Sequence, residues 1–472
     1  MPFLRNEKLM INFKPLGEKV NIIADFMQKS PIEFCDISIG AKYMWRDEFR
    51  IDYAIFDNTL ILKETAKDYK NAFYYPIGDN VEGALVEIEN YCRAQNIPLL
   101  FCCIDNDYAV KLTERYPFSK VYNDRDWSDY IYEAESFKNF SGKKFSGQRN
   151  HVNKFKKTYP DYEFLEIKEE DLGDIDEFLL EYERNIEYSL WSQKEEEEKV
   201  RDYIKKSFRL SQKGAMIKVD GKVVAISLGE VVKNTLIVHV EKGLKSYAGV
   251  YPLMASEFAK AYATGEVKYI NREEECGDMG LRISKLQYHP IEVKQKNFVK
   301  VGTAFSKIKP PILIETPRLL LAEIEERDSE KYKEIYINDK LNEFWGYDYK
   351  EDLVGEPTKE YFYQFMKGLK KKEEEYSLAV KKDGVMIGEL VMHGFDYYGN
   401  VEIGFRIEEK HQRKGYAFES VKALIGYIER QIKPRKIKAK CYKLNGASKG
   451  LIKKLGFKEI GENREYFFFE LN

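Results

Sequence analysis

The chain has 472 residues, of which 77 are Lys or Arg and 79 are Asp or Glu, so its formal net charge is −2. This near-balance excludes a protein that coats nucleic acid, because such proteins carry a strong excess of positive charge. Hydrophobic residues make up 43% and aromatic residues 14% of the chain, which is enough for several packed cores and excludes global disorder. At roughly 100–200 residues per domain, the length predicts about three domains.

No membrane or export segment is visible in the sequence. The longest apolar run is Ile97–Ile104, well short of the about 20 residues that a membrane-spanning helix needs. Residues 1–10 contain charges and no apolar core, so they do not resemble a secretory signal. The six cysteines are scattered, without a C-x-x-C pair or a histidine at zinc-ligand spacing. We therefore expect a cytoplasmic protein with reduced thiols and no metal.

Three segments at equal intervals of 163 residues predict the same β-hairpin. Their turns are Asp57-Asn58, Asp220-Gly221 and Asp383-Gly384, residue pairs that favour the positive φ angles of a two-residue turn. Each hairpin is followed by a predicted helix and then a strand: Val81–Gln95 and Pro98–Ile104, Pro252–Ala263 and Val267–Ile270, Tyr416–Gln431 and Ile437–Cys441. This pattern favours an internal repeat over the ordinary alternation of an α/β protein.

The repeat predicts three units, at residues 1–135, 136–305 and 306–472. Pro310-Pro311 marks the last boundary as a stiff connector. We expect each unit to be an α/β (α+β) fold, a mixed, mostly antiparallel sheet flanked by helices.

Two segments in the middle of the chain concentrate charge. Gly142–Lys157 has six Lys or Arg among 16 residues, which predicts either a solvated helix or a patch for phosphates of tRNA or lipid. Tyr269–Pro290 places the acidic group Glu273–Glu275 among basic residues and glycines. This second segment is either a functional site or a solvated loop with surface ion pairs.

Residues 10–300 resemble the C-terminal catalytic domain of phosphatidylglycerol lysyltransferases. The matching motifs are "DWSDYIYE", "GKKFSGQRNHVNKFKK", "VHVEKG", "GVYPL" and "NREEECGDMGLRISKLQYHP". The resemblance implies two GNAT-like halves and transfer of an amino acid from aminoacyl-tRNA. Membrane members of that family carry a separate multi-helix domain that this sequence does not show, so a lipid acceptor does not follow. The candidate site residues of this module are Lys143, Lys144, Arg149, Asn271, Arg272, Glu273, Glu274, Arg282 and Lys285.

The last third contains the most informative motif. A predicted strand, Val401–Ile407, leads into the basic turn Gln412–Ala417, and a helix follows at once. Backbone N–H groups at a helix N-terminus are unpaired and partly positive, so they bind anions. Gly415 lets a phosphate approach the backbone closely. In the first two units the equivalent turns lack this pattern. Ile77–Asn80 is acidic, and only Lys245–Tyr251 could bind a donor.

Residues 312–472 resemble the GNAT acyltransferase superfamily, within it the ribosomal-protein alanine acetyltransferase type. The motifs are "IETPRLLLAEIEERD", "GVMIGELVM", "VEIGFRI", "HQRKGYAFES" and "NGASKGLIKKLGF". The resemblance implies acetyl transfer from acetyl-CoA to the amine of a small molecule or peptide. It implies cofactor contacts from Arg406, Ile407, Gln412, Arg413, Lys414, Gly415, Tyr416, Ala417, Phe418 and Asn445. The thioester would lie between the strands ending at Ile407 and Cys441, where a backbone N–H stabilises the oxyanion.

The acceptor amine must lose a proton, so the reaction needs a base. Glu402 is the first candidate, directly or through water, and Glu389 is the second; either could instead face solvent. Many relatives supply an acid from a Tyr five residues before the Phe of the Gly-Phe pair, where this chain has Ile452. Tyr442 is a possible substitute, and proton return by water is another.

Three functional readings follow. In the first, a C-terminal acetyltransferase is fused to an aminoacyl-transferase-like module that acts on aminoacyl-tRNA, a peptide or a small amine. In the second, the N-terminal pair is a non-catalytic module that binds tRNA or another anion. In the third, the chain is mainly a tRNA-dependent aminoacyltransferase with a degenerate CoA site, which the intact Arg413, Gly415, Ala417 and Asn445 argue against.

Overall fold

The structure is a computed structural model that describes residues 11–185, 191–346, 348–351, 353 and 355–471. The described chain forms two compact units. We call residues 11–110 and 121–300 the N-terminal unit, and residues 111–120 and 301–471 the C-terminal unit. In the described part of the chain, no helix is both long enough and apolar enough to cross a membrane.

The described helices are, in chain order, α1 (Ala24–Met27), α2 (Ile39–Met44), α3 (Val81–Gln95), α4 (Asn106–Arg115), α5 (Ala134–Asn139), α6 (Ser146–Thr158), α7 (Leu172–Arg184), α8 (Trp191–Ser207), α9 (Val250–Tyr262), α10 (Met279–Gln287), α11 (Ser329–Ile337), α12 (Asp339–Asn342), α13 (Lys359–Lys371), α14 (Tyr416–Tyr427) and α15 (Gly446–Lys454).

The first sheet of the N-terminal unit runs in the order β1-β2-β3-β4-β6-β15-β7, and β5 also pairs with β3. Its strands are β1 (Lys14–Pro15), β2 (Arg50–Phe56), β3 (Thr59–Thr65), β4 (Ala72–Phe73), β5 (Ile77–Gly78), β6 (Leu100–Ile104), β7 (Lys120–Asn123) and β15 (Asn297–Lys300). Strands β4 and β6 pair in parallel, whereas β2 and β3 form an antiparallel hairpin.

The second sheet of this unit runs in the order β14-β8-β13-β12-β11-β10-β9. Its strands are β8 (Asp129–Glu133), β9 (Glu163–Glu166), β10 (Lys213–Val219), β11 (Lys222–Val232), β12 (Thr235–Gly243), β13 (Tyr269–Asn271) and β14 (Glu292–Lys294). Strands β12 and β13 pair in parallel over three residues, and the neighbouring pairs are antiparallel.

The two sheets of the N-terminal unit exchange strands. β8 comes from the first 135 residues but pairs with β13 and β14 in the second sheet. β15 comes from the following segment but pairs with β6 in the first sheet. One apolar core also contains residues from both halves, among them Val20, Leu62, Phe178 and Ile226. The predicted boundary at residue 135 therefore separates β8 from its own sheet, and the three-unit division stays a prediction about sequence repeats.

The C-terminal unit contains one sheet, in the order β16-β17-β18-β19-β20-β21-β23-β22. Its strands are β16 (Leu313–Glu315), β17 (Leu320–Glu323), β18 (Glu375–Lys382), β19 (Val385–His393), β20 (Asn400–Ile407), β21 (Lys436–Tyr442), β22 (Lys458–Glu462) and β23 (Tyr466–Leu471). Strands β20 and β21 are parallel, and the other pairs are antiparallel. Helix α14 packs on this sheet through Val421, Leu424 and Ile425.

The predicted fold class is confirmed, and so are the three hairpins. Residues 57, 58, 220, 221, 383 and 384 all have positive φ, as a tight two-residue turn requires. Each hairpin is followed by a helix (α3, α9 or α14) and then by the second strand of a parallel pair (β6, β13 or β21).

Gly249 and Gly415 hold equivalent positions before α9 and α14, with φ of +96° and +84°. Their surroundings differ. A Cβ added at Gly249 would lie 2.4 Å from the His151 carbonyl oxygen, because α6 packs across the start of α9. The turn before α9 is thus closed by a helix whose Phe155 belongs to the core.

We predict that Gly249→Ala destabilises the N-terminal unit more than Gly221→Ala. Both glycines have positive φ, +96° and +78°, so each alanine meets a backbone penalty of about 1–2 kcal/mol. Only Gly249→Ala also forces α6 away from α9, whereas nothing lies within 4 Å of a Cβ at Gly221. Urea unfolding of the two variants measures the difference. Equal losses of stability would show that α6 does not press on this turn.

Candidate functional site

The candidate site of the C-terminal unit lies where β20 and β21 diverge. These parallel strands pair at three positions, of which the last is Glu402 with Lys438. β20 then stays paired with β19 as far as Ile407, and β21 stays paired with β23 as far as Tyr442. The sheet therefore opens into a wedge between the carboxyl ends of two neighbouring strands.

The backbone of β20 faces this wedge on alternate residues. The Glu408 N–H donates to the Ile387 carbonyl on the β19 side, so Ile407 faces the wedge. The Ile407 carbonyl accepts a 2.8 Å hydrogen bond from Gln412 Nε2. Arg406 faces the other way, because its carbonyl lies against Gly388 of β19. We therefore keep Ile407 as a candidate cofactor contact and withdraw Arg406, whose backbone belongs to the β19–β20 ladder.

The predicted basic turn lies at the open end of the wedge, at the N-terminus of α14. Arg413, Lys414 and Gly415 are exposed, and Arg413 and Gly415 have positive φ. The backbone N–H groups of Tyr416, Ala417 and Phe418 form the first turn of a 12-residue helix and point outward. This arrangement can bind the negative charge of a diphosphate.

Arg318 contacts this turn from a distant part of the chain, and the sequence did not identify it as a site residue. Its guanidinium donates to the Lys414 carbonyl at 3.0 Å and lies 4.7 Å from the centre of the Tyr416 ring. The Arg318 Nε atom also donates to the carboxylate of Glu419, in the first turn of α14, at 2.7 Å. A Cβ at Gly415 would lie 3.2 Å from Arg318 Nη2. The opening motif "IETPRLLL" contains this arginine, but only the pairing of β16 and β17 with the sheet brings it to the turn.

Asn445 lies at the far side of the wedge, at the N-terminus of α15. Its side-chain oxygen accepts from the Ser448 N–H at 3.0 Å, which caps the helix. Its amide NH2 group still has hydrogens to donate. Asn445 can therefore hold a carbonyl of an extended ligand in the wedge.

Glu402 lies at the apex of the wedge with two basic neighbours. Lys440 Nζ is 3.5 Å and His393 Nε2 is 3.7 Å from Glu402 Oε1. His393 is the direct cross-strand partner of Glu402, so both side chains lie on one face of the sheet. About a fifth of each side chain is exposed, which leaves both within reach of a ligand.

Glu389 is in a different environment. Its side chain is fully buried, and Oε2 accepts from Arg406 Nε and Nη2 at 2.9 and 2.6 Å. The Arg406 guanidinium also stacks on Tyr336 and Trp345, at 4.1 and 4.3 Å from the ring centres. Removing either partner would leave a buried charge unpaired. This geometry favours a positioning role for Glu389 and not that of a base in contact with substrate.

Aromatic side chains surround the apex. The Trp345 ring covers Gly404, since a Cβ there would lie 3.3 Å from the ring edge. The Tyr442 ring packs against that of Tyr466, its cross-strand partner, with the ring centres 4.3 Å apart and the planes tilted by 41°. Glu375, also missed from the sequence, lies opposite His393 in the ladder. Burial, reinforced by Glu389, raises the pKa of Glu375 to about 7.

In the N-terminal unit, the residues of the predicted acidic loop form one buried network. Asn271 donates to Asp129 at 2.6 Å and accepts from the Glu273 N–H. Lys285 donates to the carbonyls of Arg272, Glu273 and Glu274, at 2.5 to 3.1 Å. Arg272 pairs with Glu241 at 2.7 Å, and Arg282 pairs with Glu275 at 2.6 Å. Asp129, Glu275 and Lys285 are buried and the other charged side chains are half-buried, so these ion pairs are not surface ones.

A buried lysine at the centre of this network was not predicted. Lys296 Nζ lies 2.5 Å from Asp36, 2.8 Å from Asp129 and 3.2 Å from Glu274. Cys35 Sγ is also 3.2 Å away. Among the described residues, Cys35, Asp36 and Asp129 have ligand atoms within 4.8 Å of one another, which is the spacing of a group that could hold a metal ion. The Lys296 ammonium already supplies the positive charge that this acidic group needs. No sequence motif connects residues so far apart.

The basic segment lies on α6 and the turn before it. Lys143, Lys144 and Lys154 are exposed. Arg149 donates to the carbonyls of Phe140 and Gly142 and so holds the end of α5. The three exposed lysines can meet a partner in solvent, whereas Arg149 serves the fold.

Comparison with known proteins agrees with these two units. A family model described as "Phosphatidylglycerol lysyltransferase, C-terminal" matches residues 33–299, more than half of the chain. The chain belongs to this family. A second model, "Acetyltransferase (GNAT) domain", matches residues 318–458. The C-terminal unit therefore contains a GNAT acetyltransferase domain.

Three individual proteins are similar to parts of the chain. "Uncharacterized N-acetyltransferase YoaA" of Bacillus subtilis is 26% identical over 33% of this chain and 88% of its own length. "Uncharacterized N-acetyltransferase YnaD" of the same organism is 26% identical over 31% of this chain and 84% of its own. A crystal structure of a conserved protein of unknown function from Bacteroides thetaiotaomicron covers 62% of this chain and all of its own, at 28% identity and a TM-score of 0.58.

His239 provides a pH test of the N-terminal network. The imidazole is buried between Glu273, at 2.6 Å, and Glu230, at 3.0 Å. Burial disfavours its charged form, but the two carboxylates outweigh burial and raise the pKa of His239 to about 9. Because the folded pKa is raised, its stabilising effect is complete below about pH 6.5 and is lost as the pH rises through about 9.

We predict that the free energy of unfolding falls by up to about 3 kcal/mol over this range, and that His239→Gln removes this dependence. Denaturant unfolding at several pH values measures it. His151→Gln, on the exposed face of α6, is the control. A variant H239Q that keeps the full pH dependence would contradict the assignment.

Proposed function

We propose that the C-terminal unit is an N-acetyltransferase that moves an acetyl group from acetyl-CoA to an amine. The observation that carries this proposal is the wedge between β20 and β21 with the exposed turn of Gly415 at its mouth. A diphosphate at the helix terminus and an extended arm in the wedge are the two features that acetyl-CoA requires. The residues present fit both.

Acetyl-CoA would supply an acyl group activated as a thioester. We assign its diphosphate to the turn formed by Gln412, Arg413, Lys414, Gly415, Tyr416, Ala417 and Phe418. Arg318 fixes this turn by holding the Lys414 carbonyl. Ile407 and Asn445 hold the pantetheine arm from opposite sides of the wedge. An N–H of β20 facing the wedge stabilises the developing oxyanion.

The amine enters on the face of the sheet that carries Glu402 and Trp345. Glu402 promotes loss of a proton from the amine, and Tyr442, at the end of β21, returns a proton to the leaving thiolate. Glu389 holds Arg406, and through it Trp345, at the edge of the acceptor site. The acceptor is a small molecule or a peptide with a free amine.

We predict that Gly415→Glu lowers acetyl-CoA affinity at least about 100-fold. The new carboxylate would stand where the diphosphate must approach the backbone, and it would repel that negative charge. Isothermal titration calorimetry on the full chain measures the affinity.

The matched control is Gly461→Glu, which adds the same charge on β22, where nothing lies within 4 Å of a Cβ. Circular dichroism checks that both variants fold. Unchanged affinity in the folded G415E variant would place the cofactor elsewhere.

We also propose a function for the N-terminal unit, in which the α6 face binds an anionic partner such as aminoacyl-tRNA. The exposed Lys143, Lys144 and Lys154, on a segment without acidic residues, support this proposal. Whether the unit also transfers an aminoacyl group depends on the buried loop network. In the alternative, it only captures the anion for the acetyltransferase.

We predict that replacing Lys143, Lys144 and Lys154 by Ala weakens binding of unfractionated tRNA about 10-fold at low salt. The plot of log affinity against log salt concentration has a negative slope. Each lost phosphate contact should make this slope less steep by roughly 1. Filter binding at several salt concentrations measures both. Replacing Lys29, Lys67 and Lys70, exposed elsewhere in the same unit, is the control. Equal effects of the two triple variants would leave α6 as an ordinary solvated helix.

A further inference from the structure

His393 lies at the apex of the wedge beside Glu402, and its Nε2 atom is directed over β20. That atom is 3.9 Å from the place where a Cβ of Gly404 would stand. The Trp345 ring edge lies 3.3 Å from the same place. The missing side chain of Gly404 thus leaves a surface bounded by an imidazole nitrogen and an aromatic edge. It adjoins the part of β20 that faces the thioester position.

Burial and the positive charge of Lys440 favour a neutral imidazole at His393, which becomes charged on binding a proton. Glu375 of β18 and Glu402 of β20 are its cross-strand neighbours, and Lys440 of β21 adds a positive charge. Burial lowers the pKa of His393, and the attraction of Glu402 only partly opposes this. A neutral imidazole has a free nitrogen lone pair, and a nearby carboxylate stabilises the cation that forms.

We propose that His393 accepts the proton of the acceptor amine and that Glu402, whose Oε1 lies 3.7 Å from the same Nε2 atom, stabilises the charge of the imidazolium. This inference rests on the proposed acetyltransferase function and assigns the base within the same site. It replaces direct deprotonation by Glu402, whose Oε1 lies close to Lys440 as well as to His393.

The step balances as follows. An ammonium R–NH3+ gives one proton to His393 Nε2 and becomes the nucleophilic amine R–NH2. Its nitrogen forms a C–N bond to the acyl carbon, and the C–S bond breaks. The second proton of the nitrogen passes to the leaving thiolate by way of Tyr442 or water. His393 releases its proton to solvent, and the products are the amide and a free thiol.

The test uses the full chain with acetyl-CoA and three primary amines as probes: spermidine, benzylamine and a hexapeptide that begins with Ala. Release of free thiol is followed as a function of pH. We expect wild-type kcat/KM to rise with pH through a midpoint below the ordinary histidine value. We expect His393→Gln to lower it by about 100-fold or more and to lose this rise. Glu402→Gln should keep the rise, with its midpoint moved to lower pH.

Two measurements separate this inference from its basis and from misfolding. Calorimetry should show that His393→Gln binds acetyl-CoA with the affinity of the wild type. Absence of binding to the wild-type chain would contradict the proposed function itself. Imidazole in solution should restore part of the activity of His393→Ala, which a purely structural role does not predict. His151→Gln, with an exposed imidazole in the N-terminal unit, should stay within about threefold of wild type.

Several results would overturn the assignment. One is a His393→Gln variant within threefold of wild type while Glu402→Gln is inactive, which would make Glu402 the direct base. Another is an unchanged pH profile in His393→Gln. A wild-type chain that binds acetyl-CoA but acetylates none of the three amines would also contradict it.

Discussion

The structure of the C-terminal site depends on a parallel strand pair that holds together for only three residues. Up to Glu402 and Lys438, β20 and β21 share a ladder. Beyond this point each strand remains paired with its outer neighbour, so the natural twist of the sheet draws the two strands apart. The wedge turns part of the β20 backbone away from any neighbouring strand, and the exposed helix N-terminus at its mouth can bind an anion. The polar apex brings a carboxylate and an imidazole to the same place.

The N-terminal unit repeats this geometry with a different outcome. β12 and β13 also pair in parallel over three residues, and α9 also begins at a glycine with positive φ. There, however, α6 covers the turn, so its backbone cannot meet a diphosphate. The buried charged groups of this unit lie instead in the network around Lys296, His239 and the loop after β13. A shared framework has therefore kept its strand geometry while the anion site is open in one copy and closed in the other.

Local patterns in the sequence predicted the repeated elements well. Two-residue turns such as Asp220-Gly221 have a physical signature in their positive φ, so the hairpins and the helix–strand pairs after them could be located. The start of α14 was predictable for the same reason, since Gly415 and the basic residues beside it are contiguous. Phosphate binding at this turn stays a prediction. The exchange of β8 and β15 between the two sheets has no local signature in the sequence. Alternating side chains show that a segment is a strand, but they do not show which sheet it joins.

The same limit explains which site residues were missed. Arg318, His393 and Glu375 reach the site across strand pairs, far in sequence from the motif that they support. Lys296 is separated from Cys35 by 261 positions and lies beside it only because β15 joins the first sheet. Arg406 was misassigned because a strand residue's backbone direction depends on the register of the ladder, which the sequence does not contain. Residue types could be predicted, but the faces on which they lie could not.

The most direct test of the account is the stoichiometry of acetyl-CoA binding to the full chain, measured by isothermal titration calorimetry. The open turn at Gly415 and the covered turn at Gly249 predict one site per chain. A single transition at a molar ratio near one would agree with this account. Absence of binding, or two sites per chain, would contradict it.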